Sequence, residues 1–200
     1  MNRGFTVVEL VISAAIFIFM TALIVSKYGN FNQSTLLTDT AYDLALVLHT
    51  AQTYGISVRN ASSTGSTNFT IPYGVDFYNS ATGGSCGSAT SNSNTIVFFA
   101  DVDTNASTTC TVYDNAVTVY TLTRGALVNS LCVTPAGSGT CGAVTRLDIF
   151  YQRPNPEASI CGTISSTVCN YPYAEIGIRG TDGSIRTIVV RQNGQISVQR

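Results

Sequence analysis

Glu9 is the first residue whose chemistry needs an explanation. It lies in Phe5-Thr6-Val7-Val8-Glu9-Leu10, at the head of an uncharged run from Leu10 to Val25. A carboxylate at full membrane depth costs roughly 2.5–3.5 kcal/mol, and less near the interface, so such a residue normally has a partner. Asp101, Asp103 and Asn105 alternate along the chain as oxygen ligands of calcium do, with Asp114 in the following segment. An EF-hand loop needs Gly at its sixth place and Glu at its twelfth; here those places hold Ala106 and Val112. The segment therefore reads first as an Asp/Asn-rich turn, with a calcium site as the alternative. Arg179, Arg186, Arg191 and Arg200 fall in the last 22 residues, close to Glu175 and Asp182. Charges so placed keep a sheet edge from unwanted pairing. They also offer phosphate contacts to DNA with a salt-dependent affinity, although no aromatic is interleaved in this stretch for stacking on single strands.

Six cysteines stand at 86, 110, 132, 141, 161 and 169. None forms a C-x-x-C pair, so zinc ribbons and thioredoxin-like motifs have no support. An even number suits disulfides in an oxidising compartment, and most of these cysteines sit beside Gly, Ser, Thr or Asn. Six cysteines allow about 15 pairings. Nearest neighbours are the simplest choice: Cys132 with Cys141, Cys161 with Cys169, and Cys86 with Cys110 by elimination. Six reduced core thiols are the alternative.

Catalytic apparatus is not visible. The one histidine, His49, lies in a helical pattern on the polar side of its stripe, and reads as a solvated or hydrogen-bonded residue. No G-x-S-x-G surrounds any serine, and neither a phosphate-binding nor a dinucleotide-binding glycine motif occurs. The chain is expected not to be an enzyme and to carry no resident cofactor.

These residues need elements to position them. The chain has 200 residues, 10 Lys plus Arg against 11 Asp plus Glu, and a mean hydropathy of +0.22. Charged residues make up 10%, against about 25% in an ordinary domain. The near-neutral balance argues against a surface built throughout for nucleic acid. From Phe5 to Val25 a helix would span about 31 Å, the thickness of a bilayer's hydrocarbon core. No face of it is polar, which argues against a buried soluble helix. A cleaved secretory signal fits poorly: the run is long, it contains Glu9, and no small-residue cleavage site follows. Arg3 and Lys27 flank the run and give little orientation signal; the cysteines place the C-terminal bulk outside the cytoplasm.

Beyond Lys27, Leu37, Ala41, Leu44, Val47, Leu48, Ala51 and Tyr54 recur at helical spacing. This amphipathic helix is expected to end near Gly55, with Gly29-Asn30 as a weak point. Strand-like runs follow at 68–71, 74–78, 95–100, 111–113, 116–123, 146–151, 174–179, 185–190 and 195–198. Asn193-Gly194 is a strong hairpin signal. Tracts 79–94 and 134–143 read as exposed, cysteine-pinned loops, while 152–173 carries no usable pattern. The fold class is α+β: a long N-terminal helix, half apolar and half amphipathic, packed on a mainly antiparallel β domain.

Met1-Asn2-Arg3-Gly4 followed by Phe5-Thr6-Val7-Val8-Glu9-Leu10 and the uninterrupted apolar run resembles the class III signal of type IV pilins and type II secretion pseudopilins. The resemblance covers about the first 25 residues. It implies cleavage by prepilin peptidase between Gly4 and Phe5, N-methylation of Phe5, and Glu9 as the acid fifth in the mature chain. Cleavage frees an amine at Phe5, and a neighbouring subunit's amine is the natural partner for Glu9, selecting one axial register. An amine–carboxylate pair within one helix is the alternative.

The layout is most similar to minor pilins and minor pseudopilins of the GspH/FimT kind, on Tyr73-Gly74-Val75-Asp76-Phe77, on Val97 to Asp103 and on the final hairpin. The resemblance divides the chain into a leader 1–4, a membrane or filament-core helix 5–26, its amphipathic continuation 27–56 and a β-rich domain 57–200. It implies residence in the inner or cytoplasmic membrane as a single pass with the C-terminal domain outside, then assembly into a periplasmic or surface filament. Implied partners are prepilin peptidase, other subunits, an inner-membrane assembly platform and, before assembly, lipid. A DNA-uptake pilin that uses its C-terminal arginines is the alternative function.

Overall fold

The computed structural model describes residues 6–57, 70–102 and 109–199, excepting the side chains of 27–32. Gly4, Phe5, Asp103, Asn105 and Arg200 lie outside the described residues, as do the first two positions of the run expected at 68–71.

Among the described residues, one helix, α1 (Val7–Ile56), is followed by thirteen strands. In chain order these are β1 (Tyr73–Tyr78), β2 (Gly84–Cys86), β3 (Ala89–Ser91), β4 (Thr95–Ala100), β5 (Asn115–Thr121), β6 (Leu127–Thr134) and β7 (Gly142–Ala143). Then come β8 (Arg146–Tyr151), β9 (Ala158–Thr163), β10 (Thr167–Val168), β11 (Tyr173–Arg179), β12 (Ile185–Arg191) and β13 (Ile196–Gln199). A six-stranded sheet runs β10-β9-β8-β1-β4-β5, a five-stranded sheet β13-β12-β11-β6-β7, and β2-β3 form a separate hairpin. All the pairings are antiparallel. The expected α+β class is the observed one.

Alternation along the strands turns one face of each sheet inward. Val75, Phe77, Phe98, Leu147 and Ile149 from the larger sheet join Leu131, Ile176, Ile178, Ile188 and Val190 from the smaller one in a single core. The buried stripe of α1, from Leu37 through Leu44 and Leu48 to Ala51, completes it. The helix ends at Ile56, with the Ser57 amide donating to the Thr53 carbonyl at 3.0 Å, next to Gly55 as the sequence predicts. The task of Gly55 is close approach: a Cβ there would collide with the backbone of Tyr151 on β8. Helix is assigned through Gly29-Asn30 as well, where the sequence marks a weak point.

Several expectations are corrected. Residues 111–113 form a turn and not a strand, because the Asp114 carboxylate accepts from the Thr111 amide at 2.7 Å and from its hydroxyl at 3.2 Å. Thr70 and Ile71 belong to no strand. The tract 79–94 contains the β2–β3 hairpin and buries Cys86 and Ser91 completely. β6 interrupts its own alternation, since a register shift between Gly177 and Ile178 opposes Ser130 and then Val128, skipping Asn129. The region 152–173 supplies β9 and β10.

Candidate functional site: the N-terminal apolar helix

Val7–Ser26 forms 20 residues of helix with a mean hydropathy of 2.6, none of them buried against the rest of the chain. Length and composition satisfy a membrane span, as they would a signal segment. Together with three disulfides they mark an extracytoplasmic domain, secreted or membrane-anchored. Large apolar side chains face every direction; Val8, Ile12, Phe17, Phe19 and Ile24 are all exposed. A helix apolar all round requires apolar surroundings, and the β domain supplies none to this half.

The polar groups inside the run are satisfied by the helix itself. Ser13 donates to the Leu10 carbonyl at 3.0 Å, Thr21 to Phe17 at 2.7 Å and Ser26 to Leu23 at 3.0 Å. Such back-bonding removes the penalty of an unpaired hydroxyl in oil.

Glu9 is different. Thr6 is the N-cap: its hydroxyl oxygen accepts from the Glu9 amide at 3.3 Å and its hydroxyl donates to Glu9 Oε2 at 3.4 Å. This local arrangement resembles a capping box, whose sequence signal is Thr6-x-x-Glu9. A cap places the acid at the positive end of the helix dipole, yet it brings no counter-charge. Among the described residues, Glu9 makes no ion pair.

Elsewhere the acids are completed internally. Asp76 on β1 and Asp148 on β8 are directly opposed and fully buried. Arg146 reaches both from β8: Nε lies 2.9 Å from Asp76 Oδ1 and 3.0 Å from Asp148 Oδ2, with its proton directed at Asp76. A terminal nitrogen of Arg146 donates to Asp148 Oδ1 at 3.2 Å and also to the Cys110 carbonyl. The Cys110 amide donates to Asp148 Oδ1 at 3.1 Å. Thus both backbone groups of Cys110 are held by one cluster, which sits beside the Cys86–Cys110 disulfide and under the ring of Tyr78. Burial pushes the Asp76 carboxyl above its ordinary range despite Arg146. Burial and then the facing Asp76 charge push Asp148 well above it. One guanidinium does not neutralise two buried carboxylates, so the folded pair holds its protons to higher pH than free carboxyls do. Sequence reasoning missed this cluster.

The other sequence candidates separate. The disulfides are Cys86–Cys110, Cys132–Cys141 and Cys161–Cys169, the nearest-neighbour pairing. Asp114 accepts from the amides of Thr111 and Val102, the latter at 3.2 Å, and so ties Thr111 to the residue that follows Asp101. The three described arginines, Arg179, Arg186 and Arg191, are not brought together. Arg186 turns toward the helix, donating to Thr38 at 3.0 Å and to Ser34 at 2.9 Å. Arg179 and Arg191 lie at opposite ends of the β11–β12 ladder, and Arg191 stacks over Tyr173. His49 is exposed on α1. Compared with family models, curated proteins and solved structures, the chain matches none.

Proposed function

We propose that this chain is a structural subunit of a filament of the type IV pilus or type II secretion kind, most like a minor pilin or pseudopilin. Before assembly it is held in the inner membrane by Val7–Ser26, with the β domain outside the cytoplasm. The observation that carries this is a single helix whose first half is exposed, apolar on all sides and furnished with one acid that makes no ion pair among the described residues, while its second half is welded into a disulfide-pinned domain. Lipid can cover the apolar residues, but it does not supply a fixed cation for Glu9. A neighbouring copy cut after Gly4 does, through the amine of Phe5, and a pair formed in an apolar bundle favours one axial register. The work is assembly and not catalysis. Processing falls to prepilin peptidase and polymerisation to a membrane platform.

Mass spectrometry of the native product tests the first step. A chain beginning at N-methylated Phe5 is expected; an intact tetrapeptide, or trimming at another junction, overturns the proposal. Assembly is tested by Glu9→Gln, which should be inserted and processed normally yet be depleted at least about tenfold from sheared filaments, the equivalent of about 1.4 kcal/mol. Equal incorporation would remove Glu9 from the register mechanism.

A further inference from the structure

The β domain has a polar depression of about 250 Å³ where the β8–β9 connection, the chain after Cys169 and the last hairpin meet. Phe150, half-buried on β8, is the only aromatic ring among its lining residues. Around it stand the exposed carboxamides of Asn155, Asn170 and Gln192, whose side chains make no hydrogen bond within the described chain. A fourth carboxamide, Gln152, donates to the Thr70 carbonyl at 3.3 Å. Arg153 and Glu157 contribute one charge of each sign.

The walls are fixed by backbone bonds. Ala158 donates to the Gln192 carbonyl at 2.7 Å, Gln192 to Pro172 at 3.0 Å and Tyr171 to Ile160 at 3.3 Å. The Cys161–Cys169 disulfide anchors the strand beneath Asn170, which itself adopts a left-handed backbone with φ 67°. The carboxamides are therefore held in place by segments that do not need them for folding.

A carboxamide donates and accepts at once, as a sugar hydroxyl does, and an aromatic face packs against the apolar side of a sugar ring. A phosphate or a nucleic acid would call for several cations, whereas Arg153 is balanced here by Glu157. An acyl chain would call for apolar walls. The volume is below that of a site for a drug-sized ligand, which suits one ring. We propose that this depression binds a neutral pyranoside unit of a glycan, a function separate from filament assembly and independent of it.

The test uses the full chain in micelles of a detergent without a sugar headgroup. Saturation-transfer NMR is run with maltotriose and triacetylchitotriose as neutral probes and glucose 6-phosphate as the anionic one. Transfer to the ring protons of a neutral probe is expected. Asn170→Gly, which keeps the left-handed backbone, and Gln192→Ala should each weaken it about tenfold, the loss of one hydrogen-bonding group, at an unchanged thermal midpoint. Phe150→Leu should abolish it. Absence of transfer from both neutral probes at about 10 mM, preference for the phosphate sugar, or undiminished binding by the two surface variants would each overturn the site.

Discussion

Two regions of this molecule place carboxylates among apolar neighbours, and they solve the problem in opposite ways. Between β1 and β8, Asp76 and Asp148 receive Arg146 from the same sheet and the Cys110 amide, and burial raises both carboxyls above their ordinary range. At the head of α1, Glu9 receives only a hydroxyl and its own capped amide. The first cluster takes its cation from the same chain, although Asp76 Oδ2 is buried with no hydrogen-bond partner among the described residues, and it reports on the stability of that chain. The second is left incomplete among the described residues, so whatever completes it comes from beyond them. The contrast separates acids that find their cation within the chain from one that makes no ion pair among the described residues, a distinction that residue type alone does not make.

The comparison is open to experiment on both sides. The largest effect is expected from Arg146→Met, which leaves two buried acids without their cation. It should cost about 3–5 kcal/mol in denaturant unfolding at neutral pH, as breaking a buried pair does; a loss below about 1 kcal/mol would mean that the cluster is not completed by Arg146. Glu9→Gln should leave the same unfolding curve unmoved.

A smaller effect follows from pH. Both aspartates hold their protons above the ordinary value of 3.8 in the folded chain, so the folded state binds more protons than the unfolded one across that window. Their contribution is fully present below the unfolded value and is lost as pH rises through the raised folded values. The midpoint for unfolding of the β domain should therefore lose this contribution as pH rises through that range, and Asp148→Asn should flatten the profile. A contribution that grows with pH in this window would contradict the upward shift of the two carboxyls.

The smallest effect belongs to Thr6→Ala. Removing the cap should cost the helix start about 1 kcal/mol, visible as faster amide exchange at Glu9 and Leu10, with no change in the β domain. A change in the β domain would mean that the two halves of α1 are coupled more closely than their contacts show.

Much of this architecture was legible because it is periodic. The apolar half of α1, the stripe from Leu37 to Ala51 and the strands β1, β4, β8, β11 and β12 follow from spacing. β6 was not legible because its bulge breaks the alternation, and residues 111–113 misled because β-branched and aromatic types there serve a turn closed by Asp114. Of the candidate site, Glu9 announced itself by being alone in an uncharged run. Its cap also lay in plain view as Thr6-x-x-Glu9. Asp76 and Asp148 are each a lone acid in an apolar strand, and only the pairing of β1 with β8 makes them one feature. The arginines show the converse. They are close in sequence, but alternation and strand length send them to different faces and ends.

The hydroxyls of Ser13, Thr21 and Ser26 carry a consequence for traffic. Because each answers its own backbone, the helix brings its polar solvation along wherever it goes. Exchanging acyl chains for a sheath of similar helices then breaks none of these bonds, and only shape fit and dispersion change. Under the proposed function, passage from lipid into a helix bundle leaves these three hydroxyl bonds in place, and the change of surroundings falls on packing and on Glu9.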